Sequence, residues 1–330
     1  MTTAALVLLV FTQASLVRPT ATSWAEHLLI ADGDGRQRAF SSKDLTFDAA
    51  LTKKLNGAGL LAIARDGEVL WGFDGTRAFT WDAVGARWDL VKSKPPPKPC
   101  SAFAVVGGAP VGTCGPGVHR FTDGAYWDAP EFKGQISGRG FGEAPQVASH
   151  GTQLAVGTGF GEWGGHLFVL DVATGKWGMH TDPLGNVVGI AWTGEAWAVA
   201  WSMSHMMAHT RLRLHAADAK PVKEGAMTRD KYLRQLAWDE GAHALFGLEQ
   251  NDLVRVDEML AWVKVQDIGK VKYGPEHNAV GVSSGIAALL ALGAGRFLIV
   301  PINGDAVVVG GGNVTPLRAP VPDAGTPAKK

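Results

Sequence analysis

Cysteine is nearly absent from this chain, with two residues, Cys100 and Cys114, in 330. That count excludes a disulfide-dense scaffold and any zinc site built from paired Cys-x-x-Cys motifs. An excess of either charge is missing too: 31 basic and 31 acidic residues leave a formal net charge of zero. Without a basic stripe, neither nucleic acid nor an anionic membrane surface is an expected partner. The apolar stretch over residues 3–17 stops at Arg18, short of the roughly 20 residues a membrane-spanning helix needs. P-loop and zincin motifs are absent. Gly281-Val282-Ser283-Ser284-Gly285 has the spacing of a nucleophile elbow, but that site needs a later histidine and the last one is His277. Gly159-x-Gly161-x-x-Gly164 has dinucleotide-fingerprint spacing, yet it falls inside a predicted hairpin and puts Glu162 where phosphate would sit.

Glycine and tryptophan are what the chain has in quantity. Set against 3 tyrosines, 43 glycines and 12 tryptophans favour many tight turns closed over by large indoles. A hydrophobic share of 46% is ample for a core. At this length the chain holds either two ordinary domains or one closed ring of repeats.

The clearest local pattern is Leu167-Phe168-Val169-Leu170-Asp171-Val172-Ala173-Thr174-Gly175-Lys176-Trp177. Alternating apolar residues bury a strand face, Asp and Gly close a turn, and the indole opens the returning strand. Related stretches run from Phe79 through Asp82 to Trp88, from Val118 through Asp123 to Trp127, and from Leu253 through Asp257 to Trp262. The tryptophans at 88, 127, 177 and 262 are spaced by 39, 50 and 85 residues. The longest gap holds two periods, with a degenerate copy at Leu212-Arg213-Leu214-His215-Ala216-Ala217-Asp218. A second self-match, Ile190-Ala191-Trp192-Thr193-Gly194 against Leu236-Ala237-Trp238-Asp239-Glu240, is offset by 46 residues. Periods of roughly 40–50 residues with short strands are those of propeller blades.

The combination of apolar strand, Asp, short turn and Trp, with glycine pairs at Gly107-Gly108 and Gly164-Gly165, resembles a degenerate kelch repeat. That resemblance implies an all-β fold, a β-propeller of seven four-stranded blades, and an interaction module more often than an enzyme. Six blades remain the alternative if the first unit closes the last blade. The Asp171-to-Lys176 turn also looks like that of quinone-dependent dehydrogenase propellers, but Trp177 sits about two positions too early and only this copy carries Thr-Gly. Turn chemistry alone accounts for it.

The units fall at about 27–56, 58–91, 100–130, 146–180, from 187, 233–265 and 280–312. Residues 92–99 are proline-rich and predict a stiff connector outside any sheet interior. Residues 285–292 allow either a strand or a helix. In Glu195-Ala196-Trp197-Ala198-Val199-Ala200-Trp201, alanines line one sheet face and large residues the other, so the small face admits a neighbouring blade closely.

Residues 3–17 read as the apolar region of a signal peptide, with candidate cleavage after Ala14, Ala21 or Ala25. The alternative is a buried first strand, and Met1-Thr2-Thr3 carries no positive charge. The export reading gives a signal peptide over 1–25, a propeller over 26–313 and a disordered Pro/Ala tail over 314–330, with a periplasmic or extracellular location. Cys100 and Cys114 lie symmetrically about Gly107, so a hairpin there sets them opposite each other within disulfide reach; two free buried thiols are the alternative.

Loops joining the second and third strands of neighbouring blades cluster on one face. That face receives Phe160, Glu162, Trp163 and His166 from one loop. Met203, His205, Met206, Met207 and His209 come from the next, with His180 on the segment between. These residues form the candidate binding surface for a protein partner or small ligand. A narrower reading makes His205, Met207 and His209, with Met203, a soft-metal site for Cu(I). Against it, Met-rich loops also make adaptable apolar contacts with proteins, or simply pack. No other cofactor is expected. Asp66, Glu162, Asp239, Glu240, Asn186 and Asn251 are the polar groups available to a propeller hydrolase, lactonase or lyase, but their spacing selects no constellation. A non-catalytic exported scaffold is the preferred reading, with a propeller enzyme or a copper-handling protein as alternatives.

Overall fold

The computed structural model describes residues 17–130, 145–159, 164–203, 209–229, 231–269, 286–301 and 304–320. Within them the chain lays down antiparallel strands in sequence order, seven sheets in succession. The first strands of the sheets are Thr20–Trp24, Ala62–Asp66, Cys100–Val106, Gln146–His150, Asn186–Trp192, Leu233–Asp239 and Ile286–Gly293. Each packs against the next, and the last packs against the first. The result is a seven-bladed β-propeller with these strands lining its centre. The segment that reads equally as helix or strand is a strand.

The Asp–turn–Trp unit has one physical job in four blades. The Asp171 carboxylate accepts the amide hydrogens of Ala173 and Thr174, and Gly175 takes a left-handed φ of 70°. Asp82, Asp123 and Asp257 accept from Val84, Ala125 and Met259 in the same way. The returning indole then sits opposite the third strand: Trp177 faces Leu170, Trp88 faces Trp81, Trp127 faces Val118, and Trp262 faces Val256. The two glycine pairs do not repeat in this sense. Gly107-Gly108 turns the first hairpin of blade 3, whereas Gly164-Gly165 leads into the third strand of blade 4.

Seven apolar clusters fill the seven junctions between blades. Because every blade is covered on both sides, inner strands are buried on both faces and their apolar/polar alternation fades; Trp197–Met203 is buried at all but its last residue. The alternating face in that strand works as expected. Trp197, Val199 and Trp201 pack toward blade 4, while Ala198 and Ala200 face blade 6. The ring closes by side-chain packing between blades 7 and 1, chiefly Leu298, Val300 and Val308 against Leu28, Ile30 and Phe40. No strand of one end is exchanged into the other among the described residues.

Two blades depart from the repeat. Blade 1 has three strands, Thr20–Trp24, His27–Ala31 and Gln37–Ser41; its outer edge carries a single bridge, Phe40 to Phe47, then helix Ala49–Leu55. Asp48 caps that helix by accepting the Leu51 amide. Blade 5 gains a short extra strand, Thr228–Arg229, paired to the base of its third strand.

The folded ring also reaches beyond 26–313 at both ends. Thr20–Trp24 is fully paired with His27–Ala31, and Asn313–Leu317 pairs with Ala306–Gly310. Cleavage after Ala21 or Ala25 would therefore remove strand residues from blade 1, whereas Ala14 lies outside the described residues. Cys100 and Cys114 are partners in register on adjacent strands and are joined by a disulfide, with Cα atoms 3.9 Å apart.

Candidate functional site

Strand direction places three connections on one face: the second-to-third-strand loops of blades 4 and 5, and the link from blade 4 to blade 5. Backbone contact between them is intimate. A Cβ on Gly164 would meet the Asp182 carbonyl at 2.1 Å, and one on Gly165 would meet the Gly185 carbonyl at 3.0 Å. His209 Nε2 lies 2.7 Å from the Leu184 carbonyl oxygen. A carbonyl only accepts, so Nε2 carries the hydrogen there and cannot also be a metal ligand.

Of the ten sequence-selected site residues, four are described. His166, in the third strand of blade 4, has Nδ1 2.8 Å from the Thr181 hydroxyl, and burial lowers its pKa. Met203 and His209 are cross-strand partners at the base of the blade 5 hairpin, on two strands and not along one extended segment. His180 lies farther out, on the fourth strand of blade 4, and joins a different set of residues. Phe160, Glu162, Trp163, His205, Met206 and Met207 lie outside the described residues, and with them most of the Met/His set. Among the described residues no group of three or more His, Cys, Asp or Glu side chains is gathered as for a metal. The described members of the six polar groups considered for catalysis are not brought together. Asp66, Asp239 and Glu240 lie at the opposite face, Asn186 and Asn251 at this one, and Glu162 is not described. Asp239 is buried and serves turns, accepting from the Gly241, Ala242 and Gly295 amides.

What braces the candidate face is a charged network that sequence reasoning missed. Arg213, on the third strand of blade 5, donates from Nη1 to Asp182 Oδ2 at 2.6 Å and from Nε to Glu224 Oε2 at 2.7 Å. The Arg213 and Asp182 side chains are only 9% and 5% exposed. Asp182 Oδ1 accepts the Leu184 amide at 2.8 Å, so one carboxylate ties the buried arginine to the connecting loop. Arg211 adds a second ion pair to Glu224 at 3.2 Å. Arg213 Nη1 also lies 3.2 Å from His180 Nε2. Desolvation, then the Arg213 charge, hold His180 below its usual pKa. His215 is fully buried beneath it; Nδ1 donates to the Ala219 carbonyl and Nε2 has no partner among the described residues. Burial drives its pKa down to about 4. The alternation Arg211, Arg213, His215 on one face of a strand was the available signal.

Two further features complete this face. At the channel mouth, Gln235 Nε2 reaches Gln146 Oε1 at 3.2 Å, linking blades 6 and 4 past blade 5. Arg18 and Arg234 flank Tyr232 there, with burial lowering Arg18 to about 10 and raising Tyr232. Outside the mouth, Leu184 and Met227 stand 51% and 38% exposed beside His209 and Arg211. The crevice between them closes on Trp201 with no volume for a small molecule. The described part of this face is a braced surface with apolar points, not a pocket.

No family model matches the chain, and no curated protein matches it by sequence. Solved structures do. A crystal structure of the mitotic checkpoint complex contains a chain that is 11% identical with a TM-score of 0.54, covering 87% of this chain and 84% of that one. The complex of KlAtg21 with the coiled-coil of AgAtg16 matches at 9% identity and a TM-score of 0.53, over 89% of this chain and 93% of that one. Likeness at such low identity speaks for architecture alone, and it agrees with the ring built above: an all-β propeller of seven blades.

Proposed function

We propose that the chain is an exported, non-catalytic binding scaffold of kelch-like repeats that engages a protein partner through the loop face of blades 4 and 5. The observation that carries this reading is the exposed Leu184–Met227 pair. Leu184 is held on a loop that Asp182 fixes to a buried arginine, and among the described residues the crevice between the pair has no room for a small molecule. Exposed apolar points on a rigid frame favour a macromolecular contact over a substrate. KlAtg21 was solved with a coiled-coil bound, a precedent for the architecture and not for this partner. The cross-strand disulfide supports export, since such bonds persist in oxidising compartments. The kelch-like assignment rests on the Asp–turn–Trp unit of blades 2, 3, 4 and 6.

Photo-crosslinking tests the reading. A benzophenone side chain at position 184 or 227 should capture a defined protein in the native host. The same group at Val84 or Met259, exposed on the opposite face, should not. Equal capture from both faces, or none from 184 and 227, removes the proposal. Cell fractionation with alkylation of free thiols tests export separately, the expected product being an unalkylated chain outside the cytoplasm.

A further inference from the structure

The opposite face holds a feature the loop surface lacks. At the junction of blades 7, 1 and 2, a cavity of about 400 Å³ opens near the other end of the channel. It is lined by Ser23, Leu28, Ser42, Arg65, Leu292 and Arg296, with two alanines completing the wall. These residues come from the inner strands of three blades and from turns beside them, so the cavity straddles the place where the ring closes.

Its chemistry is one-sided. Among the described residues two guanidinium groups line it and no carboxylate does. Arg296 is oriented by donating from Nη2 to the Ser42 carbonyl at 3.3 Å, which leaves its other donors to the cavity side. Arg65 is exposed, and its side chain has no hydrogen bond or ion pair among the described residues. By contrast, Arg36, Arg38, Arg77, Arg120 and Arg213 each hold an aspartate within 2.7 Å. Two like charges facing one space, one of them unanswered by any described protein group, raise the local potential and favour an anion. A guanidinium fork matches carboxylate and phosphate oxygens alike, and two serines add hydroxyl groups that can donate. The volume lies at the low end of small-molecule sites.

We infer that this cavity binds a small anion carrying at least two negative charges on carboxylate or phosphate oxygens, held between Arg65 and Arg296. Occupancy would join blade 7 to blades 1 and 2 at a junction otherwise closed by packing. The site is independent of the partner face proposed above.

Calorimetric titration of the full chain with citrate, and separately with pyrophosphate, against chloride at matched ionic strength reads this directly. Saturable binding of at least one is expected; preference for citrate assigns an organic acid, preference for pyrophosphate a phosphorylated compound. Arg65→Ala should weaken the bound anion at least tenfold with an unchanged melting curve in its absence, and Ser23→Asp should abolish binding. Heats no larger than the chloride blank for both anions, or undiminished affinity in Arg65→Ala, overturn the inference.

Discussion

Replacing Asp182 with alanine probes the link between stability and the binding face. In the folded chain its carboxylate neutralises Arg213 from 2.6 Å and accepts the Leu184 amide from 2.8 Å. At an effective dielectric near 20, opposite charges centred about 4 Å apart attract by about 4 kcal/mol. Glu224 would remain on Arg213, but its side chain is 46% exposed, so solvent screens much of what it returns. Breaking a buried pair on one side typically costs about 3–5 kcal/mol; with Glu224 left in place we expect about 3 kcal/mol. Arg213→Met in the same background should recover part of that loss, because the uncompensated buried cation is then gone. Urea unfolding of the two single variants and the double variant closes the cycle. The 182–186 loop should also exchange its amides faster in Asp182→Ala while blade 2 is unaffected. A loss under about 0.5 kcal/mol, or strictly additive single changes, would show that the pair is not coupled.

Three other outcomes follow from particular contacts. Leu298→Ala, at the fully buried closure between blades 7 and 1, should cost about 2–4 kcal/mol and speed hydrogen exchange in those two blades ahead of blade 4; uniform acceleration would contradict closure by packing. Because the folded pKa of His215 is depressed to about 4, its neutral form is the one compatible with the fold. Its contribution is complete above the unfolded value near 6.5, and is lost as pH falls toward 4, by about 2 kcal/mol at pH 5. His180 and His166 are shifted in the same direction. Urea midpoints at pH 7.5 and 5 should therefore differ more in the native chain than in His215→Gln. Gly178→Ala should destabilise by more than 1 kcal/mol although its φ is ordinary, since the added Cβ would meet the Asp218 carbonyl at 2.1 Å; a thermal melt unchanged from the native chain would refute that clash.

The repeat was legible because its physics is local. Asp171, Thr174, Gly175 and Trp177 lie within one turn and its return strand, so the unit can be read in a short window, and the degenerate copy at 212–218 was found from its strand alone. Blade 1 was harder. Its outer strand is replaced by the Phe40–Phe47 bridge and a helix. Asp48 before Ala-Ala-Leu-Thr-Lys-Lys-Leu is an N-cap signal that the expectation of another strand obscured. The bracing network was invisible for a different reason. Arg213 finds Asp182 31 residues earlier, on another blade, and no local pattern records a pairing made only when the ring assembles. The cavity is the extreme case, joining Ser23 and Arg65 to Arg296 across the two ends of the chain.

Partner binding is proposed above to reside on the loop face of blades 4 and 5. The direct measurement is the affinity of the cross-linked partner for the double variant Leu184→Asp/Met227→Asp, beside Val84→Asp/Met259→Asp on the other face. At least a hundredfold loss is expected for the first and none for the second. Equal affinities for the two variants would contradict it.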